Sequence, residues 1–437
     1  MSTNPSVKTV SVPWRLSQNL LSIPEIALVL FGSTLSLYLL LLPDVAYQPW
    51  DSLDYAYSTE TLGIITMRGN HPLGHVIHYL AFALAKIFGY EGRALLIAQI
   101  VNAFAGSLAV AIFFWMLAGQ LKINPLIALG CSIILAASYG FWFFTNTADI
   151  YTISLLCILL TWSFLIHEVV LRNRSLPIAS GIFAGISVVA HQLNILLIPI
   201  GMFLILLASG KLVTLERKAK QLIAFILYAA LTFIAGYIFL GFIATSSYSL
   251  SRIIGWARGY FGDPTYGRYL NQEYFHAAID TASQTILANT EFTCYVPYSI
   301  LIMAFGLIFY RSLEENKRSV LFVSLAQTLV TWVLVFWWEP QNMKFWILSL
   351  VPWILFLALS FQSVESHLQD RRLRLHPSLT FIPQLFPPLL GILILTANFP
   401  VISNQHNPQS DTALAFHRAM DLWTQHSEPR LGPLHRR

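Results

Sequence analysis

The stretch His71-Pro-Leu-Gly-His75-Val-Ile-His78-Tyr-Leu-Ala-Phe-Ala-Leu-Ala-Lys86-Ile-Phe-Gly89 decides how this chain is threaded. It is close to the roughly 20 apolar residues that cross a bilayer, so length alone leaves it either spanning or lying flat. His71, His75, His78 and Lys86 fall on one helical side. That is the pattern of a helix in the interface with its polar side toward water.

Charge separates the two readings. The chain has 437 residues, 56% hydrophobic and 11% charged, against roughly 25% charged in a soluble domain. It is therefore expected to be an all-α polytopic membrane protein. Eleven apolar segments are expected to span, at 24–43, 94–118, 125–143, 151–170, 176–190, 193–209, 221–244, 295–310, 319–338, 345–362 and 380–397. With 71–89 on the surface, the cations at Lys8, Arg15, Lys122, Arg172 and Arg174 and in 211–220, 311–318 and 371–374 share one side. The opposite short connections 144–150, 191–194 and 339–344 hold only Lys344. A spanning 71–89 would scatter those cations against the positive-inside rule. The predicted topology is thus N-inside and C-outside, with the first span a retained signal anchor, because 1–20 lack the features of a cleaved signal peptide.

The domain reading is one membrane domain, 1–397, with a first outer loop at 44–93 and a large outer loop at 245–294. A short outer tail, 398–437, follows, with an amphipathic stretch at 410–425. The net charge of +5 sits in turns on one side and gives no nucleic-acid footprint. Cys131, Cys157 and Cys294 are too scattered for a disulfide framework.

This threading collects the unusual polar residues on the outer side. They are Asp51, Asp54, Arg68 and His71 in the first loop, Asp149 in the second, and His191 with Gln192 in a hairpin. Arg252, Arg258 and Arg268 lie among aromatics in the large loop, and Glu339 with Lys344 follow Trp338. A crowded carboxylate can act as general base on a hydroxyl, and lysine or arginine can receive a departing phosphate. Such a set suits glycosyl transfer from a lipid phosphate and calls for no cofactor. Lys344, on its short loop, is the expected phosphate anchor; Arg252 and Arg258 are expected to close over substrate. The histidine stripe also has the spacing to ligate a divalent metal, and a wet helix face explains it equally.

Asp51-Ser-Leu-Asp54, His71-Pro-Leu-Gly74, Phe141-Trp142 with Ala148-Asp149-Ile-Tyr151, and His191-Gln192 resemble the ordered landmarks of GT-C superfamily glycosyltransferases. The nearest resemblance is to protein O-mannosyltransferase-like proteins, which read D-S-G-E, H-P-P-G and A-E-V-Y. Leu53, Leu73, Asp54 and Asp149 depart from those motifs. The resemblance implies Asp51 as base, Asp54 as its partner, Asp149 as second-loop acid and His71 as a substrate contact. It also implies a polyprenyl-phosphate sugar as donor, mannose or a similar hexose. The implied setting is the outer face of a bacterial plasma membrane, with a protein, glycan or lipid as acceptor. Two other classes stay open: a transporter or lipid-flipping protein, although the spans are nearly free of acids, and a non-catalytic membrane subunit.

Overall fold

The computed structural model describes residues 21–61, 63, 68–171, 175–207, 214–258, 272–288, 295–370 and 381–406. Arg268, Cys294, residues 172–174 and everything past 406, including 410–425, lie outside them. The described residues form helices and no strand. In order these are α1 (Ile23–Leu40), α2 (Trp50–Thr61), α3 (Pro72–Ile87), α4 (Ala94–Phe114), α5 (Pro125–Ala137), α6 (Tyr139–Asn146), α7 (Tyr151–Leu165), α8 (Ile178–Ala190) and α9 (Leu197–Leu207). Then come α10 (Leu215–Thr245), α11 (Leu250–Arg258), α12 (Gln272–Gln284), α13 (Tyr295–Phe309), α14 (Glu315–Trp338), α15 (Met343–Trp346), α16 (Leu350–Asp370) and α17 (Ile382–His406).

Each of the eleven expected apolar segments contains helix. Among the described residues, seven helices are long and apolar enough to cross a membrane, or eight when α5 and α6, bent by 58°, count as one crossing. The segments expected at 176–190, 193–209 and 295–310 form α8, α9 and α13, of 13, 11 and 15 residues. At about 1.5 Å per residue these fall short of the ~30 Å hydrocarbon core. At the other extreme α17 passes the expected boundary at 397 and continues to His406. The chain is a multi-pass membrane protein.

The α5–α6 bend is satisfied by partners. Backbone left unpaired inside a bilayer is costly, and here Tyr139 N and Gly140 N donate to the Ile286 and Thr285 carbonyls at 3.1 and 2.9 Å. The Asn398 amide donates to Ala137 O and Ile286 O at 2.8 and 2.7 Å, covering the other end of the break. Trp142 and Phe141 of α6 are buried in the core with Phe113, Phe114, Trp162 and Phe356. The helical segment Met343–Gln369 runs through the centre of the bundle, whereas α1 and α10 lie at its edge with apolar sides exposed.

The helix that decided the threading is short and amphipathic, but its faces are the reverse of the sequence expectation. Pro72 opens α3 in the first turn, where its missing N–H costs nothing. His71, His75 and His78 are buried in the protein, and Leu80, Leu84, Ile87 and Phe88 are exposed. The imidazole stripe is therefore a packing face, not a wet one, and the apolar side is what an interfacial helix offers to lipid. Gly74 makes this seating possible, since a Cβ there would meet Ile150 Cγ2 at 2.6 Å.

Candidate active site

Five chain segments converge on one open cleft with about 160 Å³ of room for water-sized molecules. α2 contributes Asp51 and Tyr55, and the turn before α3 contributes Arg68, Asn70 and His71. The start of α7 contributes Tyr151, the turn after α8 contributes His191 and Gln192, and the junction of α14 with α15 contributes Trp338, Glu339, Lys344 and Phe345.

Electrostatics organises the mouth. Asp51, with its side chain 27% exposed, lies between two cations: Lys344 Nζ is 2.7 Å from its Oδ2 and Arg68 Nη1 is 3.6 Å from its Oδ1. Arg68 also donates to Asp54 Oδ2 in a close ion pair. The i, i+3 spacing on α2 lets one guanidinium serve both carboxylates. Lys344 is 293 residues from Asp51 in sequence.

Asp149 sits behind this mouth, 1% exposed and outside the cleft lining. Its loop is pinned from α4: the Asn102 amide donates to Thr147 O at 2.7 Å and also to Asp149 O, and Gln99 Nε2 donates to Asn146 O at 3.0 Å. Gln48 Oε1 accepts from Ala148 N at 3.1 Å. One carboxylate oxygen of Asp149 accepts from Ile150 N at 2.7 Å, while Oδ2 is buried without a hydrogen-bond partner. Burial raises this carboxyl to about 6, and the Lys344 charge pulls it the other way.

The neutral side of the cleft is built from two phenol–imidazole pairs. Tyr55 Oη lies 3.2 Å from His71 Nε2, and Tyr151 Oη lies 3.2 Å from His191 Nε2. The His71 ring stacks on His75 and on His191, with centroids 5.1 and 6.1 Å apart. Burial first, then the neighbouring His75, holds His71 well below the ordinary imidazole range, so it is neutral at pH 7. Among the described residues no three His, Cys, Asp or Glu side chains are placed to hold a metal. Of the stripe that had that spacing, His71 faces Tyr55 and His78 faces Asn102, whose Oδ1 is 3.1 Å from His78 Nε2.

The sequence-derived candidates thus divide. Asp51, His71, His191, Glu339 and Lys344 line the cleft, Asp54 joins it through Arg68, and Asp149 lies behind it. Arg252 and Arg258 do not line it; both are exposed on α11. Sequence collects Arg68 and Gln192 with the outer polar residues but gives them no role, and it does not single out Tyr55 or Asn70. Arg68 had a usable signal, being the first cation after residue 43 in a loop that carries two aspartates. So had Gln99 and Asn102, two carboxamides i, i+3 within an otherwise apolar helix.

No protein-family model and no curated relative matches the sequence. Among solved structures, ArnT from Cupriavidus metallidurans bound to undecaprenyl phosphate is similar, with a TM-score of 0.54 and 13% identity over 92% of this chain and 68% of its own. ArnT is a GT-C glycosyltransferase. This chain shares the fold of ArnT. The Archaeoglobus fulgidus oligosaccharyltransferase tethered with an acceptor peptide gives a TM-score of 0.48 at 11% identity, over 87% of this chain and 55% of its own. At such identities the likeness concerns the fold alone, and it rests on the first.

Proposed function

We propose that this chain is a GT-C glycosyltransferase that moves a hexose, mannose or a similar sugar, from a polyprenyl-phosphate donor to an acceptor hydroxyl. The observation that carries the reading is Asp51 held at the cleft mouth between Lys344 and Arg68. A carboxylate beside two cations supplies both halves of the reaction. Asp51 takes the proton of the acceptor hydroxyl, whose oxygen bonds to the anomeric carbon. The anomeric carbon–oxygen bond to phosphate breaks, and its electron pair leaves with the phosphate. Arg68 and Lys344 receive that charge. An arriving phosphate shares the cations with Asp51 and frees its carboxylate to face the acceptor hydroxyl. Asp54 keeps Arg68 anchored from its far side.

The donor class draws support from ArnT, which was solved bound to undecaprenyl phosphate on the same fold. The outer face of a bacterial plasma membrane is the setting the charge bias favours, because the cleft segments contain few cations and the opposite turns contain many. The test is transfer from radiolabelled polyprenyl-phosphate mannose and glucose in membranes, comparing wild type with Asp51→Asn. Loss of a general base lowers turnover by about 10²–10⁴-fold, with membrane insertion unchanged. Near-normal transfer by the variant would remove Asp51 from its role. Absence of transfer by the wild type from any such donor would sink the reading.

A further inference from the structure

The cleft has two unlike walls. One carries the charges of Asp51, Arg68, Glu339 and Lys344; the other is made by turn residues 69–71 and 191–193 and holds no acid, lysine or arginine. These turns are tied together, with Gln192 N donating to Asn70 O at 2.9 Å and Gln192 Nε2 donating to Gly69 O at 3.1 Å. Nε2 also donates to Ala257 O. Two carbonyls require the amide nitrogen at that position, which fixes the carboxamide and leaves Oε1 over.

That Oε1, together with Asn70 Oδ1 and His71 Nδ1, is buried and has no hydrogen-bond partner within the protein. All three residues line the cleft. His71 is only 2% exposed and its other nitrogen is engaged by Tyr55. A buried polar atom left unmet destabilises the fold, so three on one wall call for a ligand that meets them.

The atoms specify its chemistry. Two are carbonyl oxygens, which only accept, so the ligand must donate. A phosphate or carboxylate offers no donor. An ammonium would find no carboxylate among these three residues to balance its charge. Hydroxyl groups satisfy the wall without charge. We propose that Asn70, His71 and Gln192 form a subsite that reads the hydroxyls of an uncharged sugar ring. This rests on the glycosyl-transfer reading and narrows its substrate to neutral sugars. Tyr151 and Phe345 supply apolar surface beside the subsite for the C–H face of such a ring.

The ring can belong to the donor lipid or to a glycan acceptor, and binding to the full chain in lipid nanodiscs separates the two. The probes are sugar-free polyprenyl phosphate, polyprenyl-phosphate mannose and glucose, and methyl mannoside or glucoside added after the sugar-free lipid. Asn70→Leu removes the acceptor at nearly constant volume, and His71→Phe keeps the ring stack without its nitrogens. Both variants are expected to hold sugar-free lipid within about twofold while losing at least about tenfold for one class of hexose probe, as happens when a site built for hydroxyls loses its polar groups. Loss on the sugar-bearing lipid assigns the ring to the donor; loss on the methyl hexosides assigns it to the acceptor. Unchanged hexose affinities, loss equal to that for sugar-free lipid, or tighter wild-type binding of polyprenyl-phosphate glucuronate than of the hexoses would overturn the subsite. Failure of wild type to bind sugar-free polyprenyl phosphate would instead bring down the transferase reading on which it rests.

Discussion

Two carboxylates at opposite ends of the same bundle are held in opposite ways. Glu365, 3% exposed, is enclosed by carboxamides: Oε1 accepts from Asn124, Gln384 and Gln369 at 2.8, 2.7 and 3.1 Å, and Oε2 accepts from Gln362 at 3.1 Å. The cage joins the start of α5 to α16 and α17, and Gln362 Oε1 takes the Asn124 backbone N–H at 2.7 Å. Asp51, at the other end, has two charged partners and an open cleft in front of it. Lys344 and Glu365 both belong to the helical segment Met343–Gln369, about 30 Å apart at 1.5 Å per residue, the thickness of a hydrocarbon core. A buried carboxylate ringed by neutral donors has little left to give a substrate. One held by cations that an incoming anion can share is poised for chemistry.

Replacing each acid by its amide is the sharpest way to break this contrast. Asp51→Asn should abolish most transfer with normal stability, whereas Glu365→Gln should leave turnover close to wild type. The second change puts a donor among donors and should lower stability by about 1–3 kcal/mol, read as a shifted unfolding midpoint in detergent. A catalytic defect in Glu365→Gln without loss of stability would erase the distinction between the two ends.

A smaller effect tests which cations face the phosphate. Arg68→Ala should weaken donor binding at least about tenfold, near 1.4 kcal/mol, because Arg68 lines the cleft. Arg252→Ala and Arg258→Ala, exposed on α11, should stay within about twofold, as surface charges do. A tenfold loss in either α11 variant would mean that α11 comes over the cleft when donor binds.

The sequence carried the helical class and a short, amphipathic helix at 71–89 because apolar length and its periodicity are summed over many residues. It carried Asp51, His71 and His191 through local motifs. It could not carry the pairing of Asp51 with Lys344, which depends on how α2 meets the α14–α15 junction across most of the chain. Nor could it say which side of α3 is wet. Imidazoles suit water and protein interiors alike, and the deciding fact was the Ile150 side chain packed on Gly74. Nor does composition show where within an apolar segment such as 176–190 the helix begins and ends; α8 covers 13 of those residues.

That glycine contact gives the next prediction. Gly74→Ala adds a Cβ 2.6 Å from Ile150 Cγ2, an overpacking of the kind that costs about 1–3 kcal/mol. Because Ile150 follows Asp149, transfer should fall along with stability. Ile150→Gly on the same background removes both atoms the new Cβ would meet, Cγ2 at 2.6 Å and Cβ at 2.7 Å, and should restore part of the transfer and of the stability. If the double variant were no better than the single, the defect would lie in α3 and not in its seating on the acid-bearing loop.

The smallest effect is a difference in the slope of stability with pH. Burial, ahead of neighbouring charges, pushes His75 and His191 to about 3 and His78 to about 4 from the ordinary 6.5, and His71 well below it. The native state then binds fewer protons than the unfolded chain once pH drops under 6.5, so these groups withdraw stability on acidification toward 3–4. Asp149 acts in the other direction. Its carboxyl is raised from 3.8 to about 6 by burial, so the native state binds the extra proton between those values and gains stability as pH falls through them. Four histidines outweigh one aspartate, and the unfolding midpoint in detergent should fall from pH 7 to pH 5. Asp149→Asn removes the opposing group, so its midpoint should lie above wild type at pH 8, where a buried charge has been deleted, and should descend more steeply below about pH 6. Curves that stay parallel would show that Asp149 does not take up a proton in that window, and the acid behind the cleft would then be charged throughout the working range.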